Sequence, residues 1–152
     1  MRRPGDAVAR SFMAQAALEA GLAFTNAILG ATHAMSHQVG GLPHGVVNGV
    51  LLPHVIRFNG AALPDRFVPI AQAMGLHQPG MPGEEAVELV ADEVRRLGDE
   101  VGVPRGLGAL GVSTDDIPRL SELTLGDACL TTNPRPTSGT RGSSAACPSG
   151  AP

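Results

Sequence analysis

Cysteine is scarce: Cys129 and Cys147 are the only two in 152 residues. Cys147 lies in a Ser/Gly/Pro-rich stretch, so no disulfide framework is implied and reduced thiols are expected. Blocks of like charge are also missing. The 11 basic and 14 acidic residues leave a net charge of -3, which gives no electrostatic footprint for nucleic acid or an anionic lipid surface. Every apolar run is broken by Gly, Asn, His or Pro well before the roughly 18 residues that span a bilayer, so no transmembrane helix is expected. Arg2 and Arg3 are followed by Asp6, Arg10, Gln15 and Glu19, which interrupt the apolar core a signal peptide needs, and the cytoplasm is the expected compartment. Strict alternation of apolar and polar residues is absent, as is any internal repeat, so strands and solenoids are not expected. The length suits one domain with a modest core.

What is present reads as helix. Residues 6–29 are rich in Ala, Leu, Met and Gln, with Val8, Phe12, Ala16, Leu22 and Ile28 near helical spacing and Gly21 between them. One long helix or two short ones fit. From His44 to Phe58 the chain is apolar almost all round, which predicts a helix buried on most sides and kinked at Pro53. Residues 84–97 form an amphipathic helix with Val87, Val90, Val94 and Leu97 on one stripe and Glu84, Glu85 and Glu88 at its start. Gly98 is expected to stop it. Ser113 to Asp116 offer a capping start for a helix running through Leu120 and Leu123 to about Cys129, ended by Asn133-Pro134. The expectation is an all-α domain of six or seven helices over residues 1–136, with a disordered tail over 137–152.

The chemistry concentrates in Gly30 to Gly45, which holds three of the five histidines, His33, His37 and His44. His33 and His37 are four apart, so on a helix their side chains lie about 40° apart around the axis and about 6 Å apart along it. Imidazole is the commonest ligand for divalent transition metals, and His44, arriving from the next helix, would add to the same face. At a helix start, His44 is favoured as a neutral, ligating ring. The same spacing also suits hydrogen-bonded rings that merely pack helices together. His54, inside the apolar helix, reads as a core or pocket histidine and His77 as a solvated loop residue. Gly106-Leu-Gly108-Ala-Leu-Gly111 matches G-x-G-x-x-G but lacks a preceding strand and does not open a helix, so it reads as a loop rather than a dinucleotide site. Cys129 beside Asp127 reads as packing, and no Ser/His/Asp or Cys/His set follows from spacing.

Three strings carry a resemblance: Ala20-Gly-Leu-Ala-Phe-Thr-Asn26, His33-Ala-Met-Ser-His-Gln-Val-Gly-Gly41 and Leu42-Pro-His-Gly-Val-Val-Asn-Gly-Val-Leu-Leu-Pro-His54. Together with Gly102-Val-Pro-Arg105, Asp116-Ile-Pro118 and Asp127-Ala-Cys-Leu-Thr-Thr-Asn-Pro-Arg135, they resemble the helical C-terminal domain of the iron-containing (group III) alcohol dehydrogenases over about residues 10–136. The resemblance implies Fe2+, or Zn2+, as a Lewis acid, with hydride exchanged between a small alcohol or aldehyde and NAD(P). It implies His33 and His44 as metal ligands and His37 as the histidine beside nicotinamide and substrate, acting in proton relay. Phe24 and Cys129 match pocket-lining positions.

The family takes a further Asp and His ligand, and its NAD(P)-binding α/β domain, from segments with no counterpart in these residues. A C-terminal part of such an enzyme is therefore expected, inactive or weak alone and working as a homodimer or with a complementing N-terminal half. The link from Gly40-Gly41 to His44 is shorter than the family's by about three residues, nearly one helical turn, which would displace His44. Relatives of zinc glycerol dehydrogenase or metal-free maleylacetate reductase type, and a non-catalytic helical module or decayed fragment, are the other readings.

Overall fold

The run from His44 to Gly60 contains few groups that need water, and the computed structural model, which describes residues 5–76 and 78–137, buries it at the centre of the fold. Here α3 (His44–Gly60) runs unbroken through Pro53, with Val47, Val50, Leu51, Pro53 and Val55 buried. Its outer positions, among them Leu52 and His54, stay exposed. His54 is thus no core residue; it sits at the rim of two apolar hollows.

One short helix and one long helix pack directly against α3. The short α2 (Ala31–Ser36) buries Ala31, Thr32, Ala34 and Ser36 beside it. The long α5 (Gly83–Val101) turns the stripe of Ala86, Val87 and Val90 inward. The helix α4 (Val68–Ala73) adds Ala71 to a small core with Ala86 and Val90. Gly60 makes the α3–α5 approach possible: a Cβ there would fall 2.5 Å from the methyls of Val87. Arg57 of α3 then pairs with Glu88 and Asp92 of α5 at the solvent edge.

Helix α5 does not stop at Gly98. It continues to Val101 and ends at Gly102, whose φ of 84° lets the Val103 N–H reach the Gly98 carbonyl at 2.9 Å. A left-handed residue at that position closes a helix end, and glycine adopts it without steric penalty. Gly98 is tolerated inside because the Arg95 side chain lies over it, 2.9 Å from where a Cβ would be. The predicted helix from Ser113 to Cys129 is also divided. Ser113 caps a 3-10 turn at Thr114–Asp116, α6 covers only Ile117–Leu125, and a second 3-10 turn spans Ala128–Thr132. Asp127 causes that break, because its side chain caps the second turn by accepting from the Cys129 N–H.

The first helix, α1 (Ala7–Ala27), is one continuous element through Gly21, capped by Asp6, and none of its residues is buried. It meets α2 through Ile28, which holds φ 59° and ψ 178°. That region is ordinarily restricted to glycine. The G-x-G-x-x-G stretch forms a 3-10 turn at Leu107–Leu110 between loops. Among the described residues there is no strand, and no helix long and apolar enough to cross a membrane. The readings of His77 and of the tail beyond Thr137 lie outside the described residues.

Candidate metal centre

The three histidines come from two elements joined by a tight turn. His33 projects from α2, His37 is its C-cap with its N–H on the His33 carbonyl, and His44 opens α3. Gly41, at φ 79°, reverses the chain between them. The short link does not keep His44 away: its ring centroid lies 5.2 Å from that of His33 and 5.7 Å from that of His37, while His33 and His37 are 6.1 Å apart.

The orientation of two rings is fixed by neighbours. Ser36 Oγ donates to the His33 carbonyl at 3.0 Å and sits 3.4 Å from His44 Nδ1. A hydroxyl committed as donor accepts from an imidazole N–H, which puts the His44 proton on Nδ1 and leaves Nε2 with a lone pair. Asn48, one turn along α3, places its Nδ2 2.9 Å from that Nε2 and 3.4 Å from His33 Nε2. Both ring nitrogens therefore converge on one point, now filled by an amide donor. Burial, reinforced by the positive charge that His44 and then His37 would carry, pushes the His33 pKa down. A neutral His33 is the ligating form. These residues fit a divalent transition metal as two of its ligands.

His37 is organised differently. Its Nδ1 lies 3.0 Å from Asp127 Oδ2. The Cys129 N–H, with the His37 hydrogen bond second in weight, lowers the Asp127 pKa from its ordinary carboxylate value. As a carboxylate, Asp127 only accepts, so His37 carries its proton on Nδ1 and offers Nε2. Gln38 Nε2 also donates to Asp127 Oδ2, at 3.2 Å.

Cys129 is half-buried beside this pair rather than packed in the core, and burial, then Asp127, raises its thiol pKa. Ligand atoms of His37, Asp127 and Cys129 all lie within 4.8 Å of one another. Sequence spacing missed this set because 90 residues separate His37 from Asp127. The usable signal was local: Asp two residues before Cys is the spacing of a side chain capping its own turn. Phe24, on α1, is 46% exposed and takes part in none of the hydrogen bonds or ring contacts that hold the cluster among the described residues.

A helical domain presenting converging imidazoles is the class that the fold and site define, and comparison narrows it. The sequence profile of the Fe-containing alcohol dehydrogenase family, C-terminal, matches residues 1–141, and the chain belongs to that family. It is 48% identical over 130 residues to the 1,3-propanediol dehydrogenase of Citrobacter freundii, covering 84% of this chain and 34% of that protein. To the NAD-dependent methanol dehydrogenase of Bacillus methanolicus it is 40% identical over 133 residues, covering 86% and 35%. The crystal structure of a 1,3-propanediol oxidoreductase superposes with a TM-score of 0.84 at 44% identity, covering 88% of this chain and 36% of that one. The chain thus spans about a third of the length of these relatives.

Proposed function

We propose that this chain supplies the metal-binding helical half of an NAD(P)-linked alcohol dehydrogenase acting on small alcohols or aldehydes. The observation that carries this reading is the convergence of His33 Nε2 and His44 Nε2 on the single Asn48 amide. Those two nitrogens would hold Fe2+, with Zn2+ as the alternative. A metal held there would supply Lewis-acid polarisation of the substrate oxygen. Asn48 would turn away to release the two lone pairs. Its Oδ1, buried without a partner, shows that its present amide placement is not fully satisfied.

His37 is the proton carrier. With Asp127 on Nδ1, its Nε2 takes up the hydroxyl proton of an alcohol as hydride leaves the carbinol carbon for nicotinamide. Asp127 stabilises the resulting imidazolium. The His37 side chain is 41% exposed while that of Asp127 is 13% exposed, so the proton has a route to solvent from the ring. Cys129 and Phe24 would line the substrate pocket. Dinucleotide binding and the remaining metal ligands fall to an α/β half outside these residues, and a cytoplasmic location belongs to the same proposal.

Metal analysis of the purified chain after ferrous loading tests the ligands. One equivalent of bound metal should be lost in His33→Ala and retained in His77→Ala, and equal metal in both would sink the assignment. With Fe2+ and NAD+, oxidation of short primary alcohols by this chain alone should stay at background. Robust turnover would overturn the division of labour.

A further inference from the structure

We propose that His37, Asp127 and Cys129 form a second divalent-cation site, suited to zinc and separate from the His33/His44 pair. One ring nitrogen, one carboxylate oxygen and one sulfur already lie within 4.8 Å of each other. Tetrahedral zinc, with bonds of about 2.0 Å to nitrogen or oxygen and about 2.3 Å to sulfur, sets such atoms roughly 3.3–3.5 Å apart. Closing that gap takes side-chain motion of about 1 Å, and His37 is free to make it at the exposed C-cap of α2.

The other two ligands are held on one turn. Asp127 Oδ1 accepts from the Cys129 N–H at 2.8 Å, which fixes both residues together and leaves Oδ2 facing His37 at 3.0 Å. A thiolate, an imidazole and a carboxylate are a donor set that favours zinc over magnesium or calcium. Their summed charge of about -2 neutralises the ion. The exposed side of His37 leaves a fourth position for water.

Binding balances simply. The Cys129 S–H bond breaks, its proton goes to solvent and an S–Zn bond forms; His37 gives up its Nδ1 proton to solvent, coordinates through Nδ1 and takes a proton from solvent on Nε2, so the ring stays neutral. Because the ion takes His37 and Asp127 together, it displaces their mutual hydrogen bond. Zinc loading and proton relay are therefore exclusive uses of the same ring. The inference does not depend on the dehydrogenase reading, since none of its ligands is His33 or His44.

Cobalt(II) is the probe, because a thiolate ligand adds a charge-transfer band that imidazole and carboxylate do not. Titrated with Co2+ under reducing conditions, the full chain should show that band, and so should Cys147→Ala and His33→Ala. Cys129→Ser should lose it and bind Co2+ about tenfold more weakly or worse. Without any variant, saturating Zn2+ should slow alkylation of Cys129, read by peptide mass spectrometry, by about tenfold or more. Absence of the band, its survival in Cys129→Ser, or unprotected Cys129 overturns the proposal. Cobalt bound without a thiolate band and lost in His33→Ala defeats it while leaving the metal role of His33 and His44 standing.

Discussion

Helices α1 and α3 are alike in how apolar they are and opposites in environment. Both are long, mostly apolar and lacking a clear polar face, yet α3 buries Val47, Val50, Leu51 and Val55 while α1 leaves Phe12 68%, Leu18 63% and Leu22 64% exposed. The difference lies in what surrounds them. The glycines of α3 admit close neighbours, with Val87 against Gly60 and Val103 against Gly49, whereas a Cβ at Gly21 of α1 would meet nothing within 4 Å. An apolar sequence is a capacity for burial, and a neighbour of matching shape is needed to realise it.

The contrast can be broken most forcefully by charge. Val50→Asp, placing an unpaired carboxylate at a position 2% exposed, should cost more than about 4 kcal/mol. Helical circular dichroism should then be lost at 25 °C. Leu18→Asp on α1 should shift stability by no more than about 0.5 kcal/mol. Equal losses in urea titrations would mean that α1 has a partner in solution.

The joint between the two regions comes next. Ile28 occupies a backbone region that costs a side chain of order 1–3 kcal/mol, so Ile28→Gly should stabilise the chain by about 1 kcal/mol once the added freedom of the unfolded state is subtracted. A lower urea midpoint for this variant would show that its half-exposed side chain matters more than its backbone.

The smallest effect is the pH response of the site. The Asp127 carboxyl is depressed in the folded state, so its stabilising contribution is fully present above its unfolded value and is lost as pH falls through the folded one. Asp127→Asn should therefore flatten the acid limb of the stability curve below about pH 4. His33 is also depressed. Below about pH 6.5 the unfolded chain takes up its proton first, so acidification from there down to the folded pKa destabilises the fold, and His33→Ala should remove that slope. An unchanged profile in either variant would contradict the assigned cause.

Legibility followed locality. The all-α class, the α3 start at His44, the inward stripe of Val87 and Val90, and the gathering of His33, His37 and His44 were readable, because helical period and a turn of a few residues determine them. The end of α5 was misplaced by four residues. A glycine reads as a stop from sequence alone, while the choice between Gly98 and Gly102 depends on Arg95 packing over the first and on the left-handed geometry of the second. The helix drawn through to Cys129 failed for a related reason: Asp127 spends its carboxylate on the Cys129 N–H and caps a new turn.

By itself, then, the sequence determined which segments are helical, which family they resemble and which histidines face one another, since these rest on contacts between residues near in the chain. Only the tertiary structure decided that α3 rather than α1 becomes the core. It alone brought Asp127 and Cys129 to His37, and set the one Asn48 amide between two ring nitrogens. Such pairings depend on how elements dock, and docking is governed by shape and hydrogen-bond geometry across the fold that no local spacing encodes.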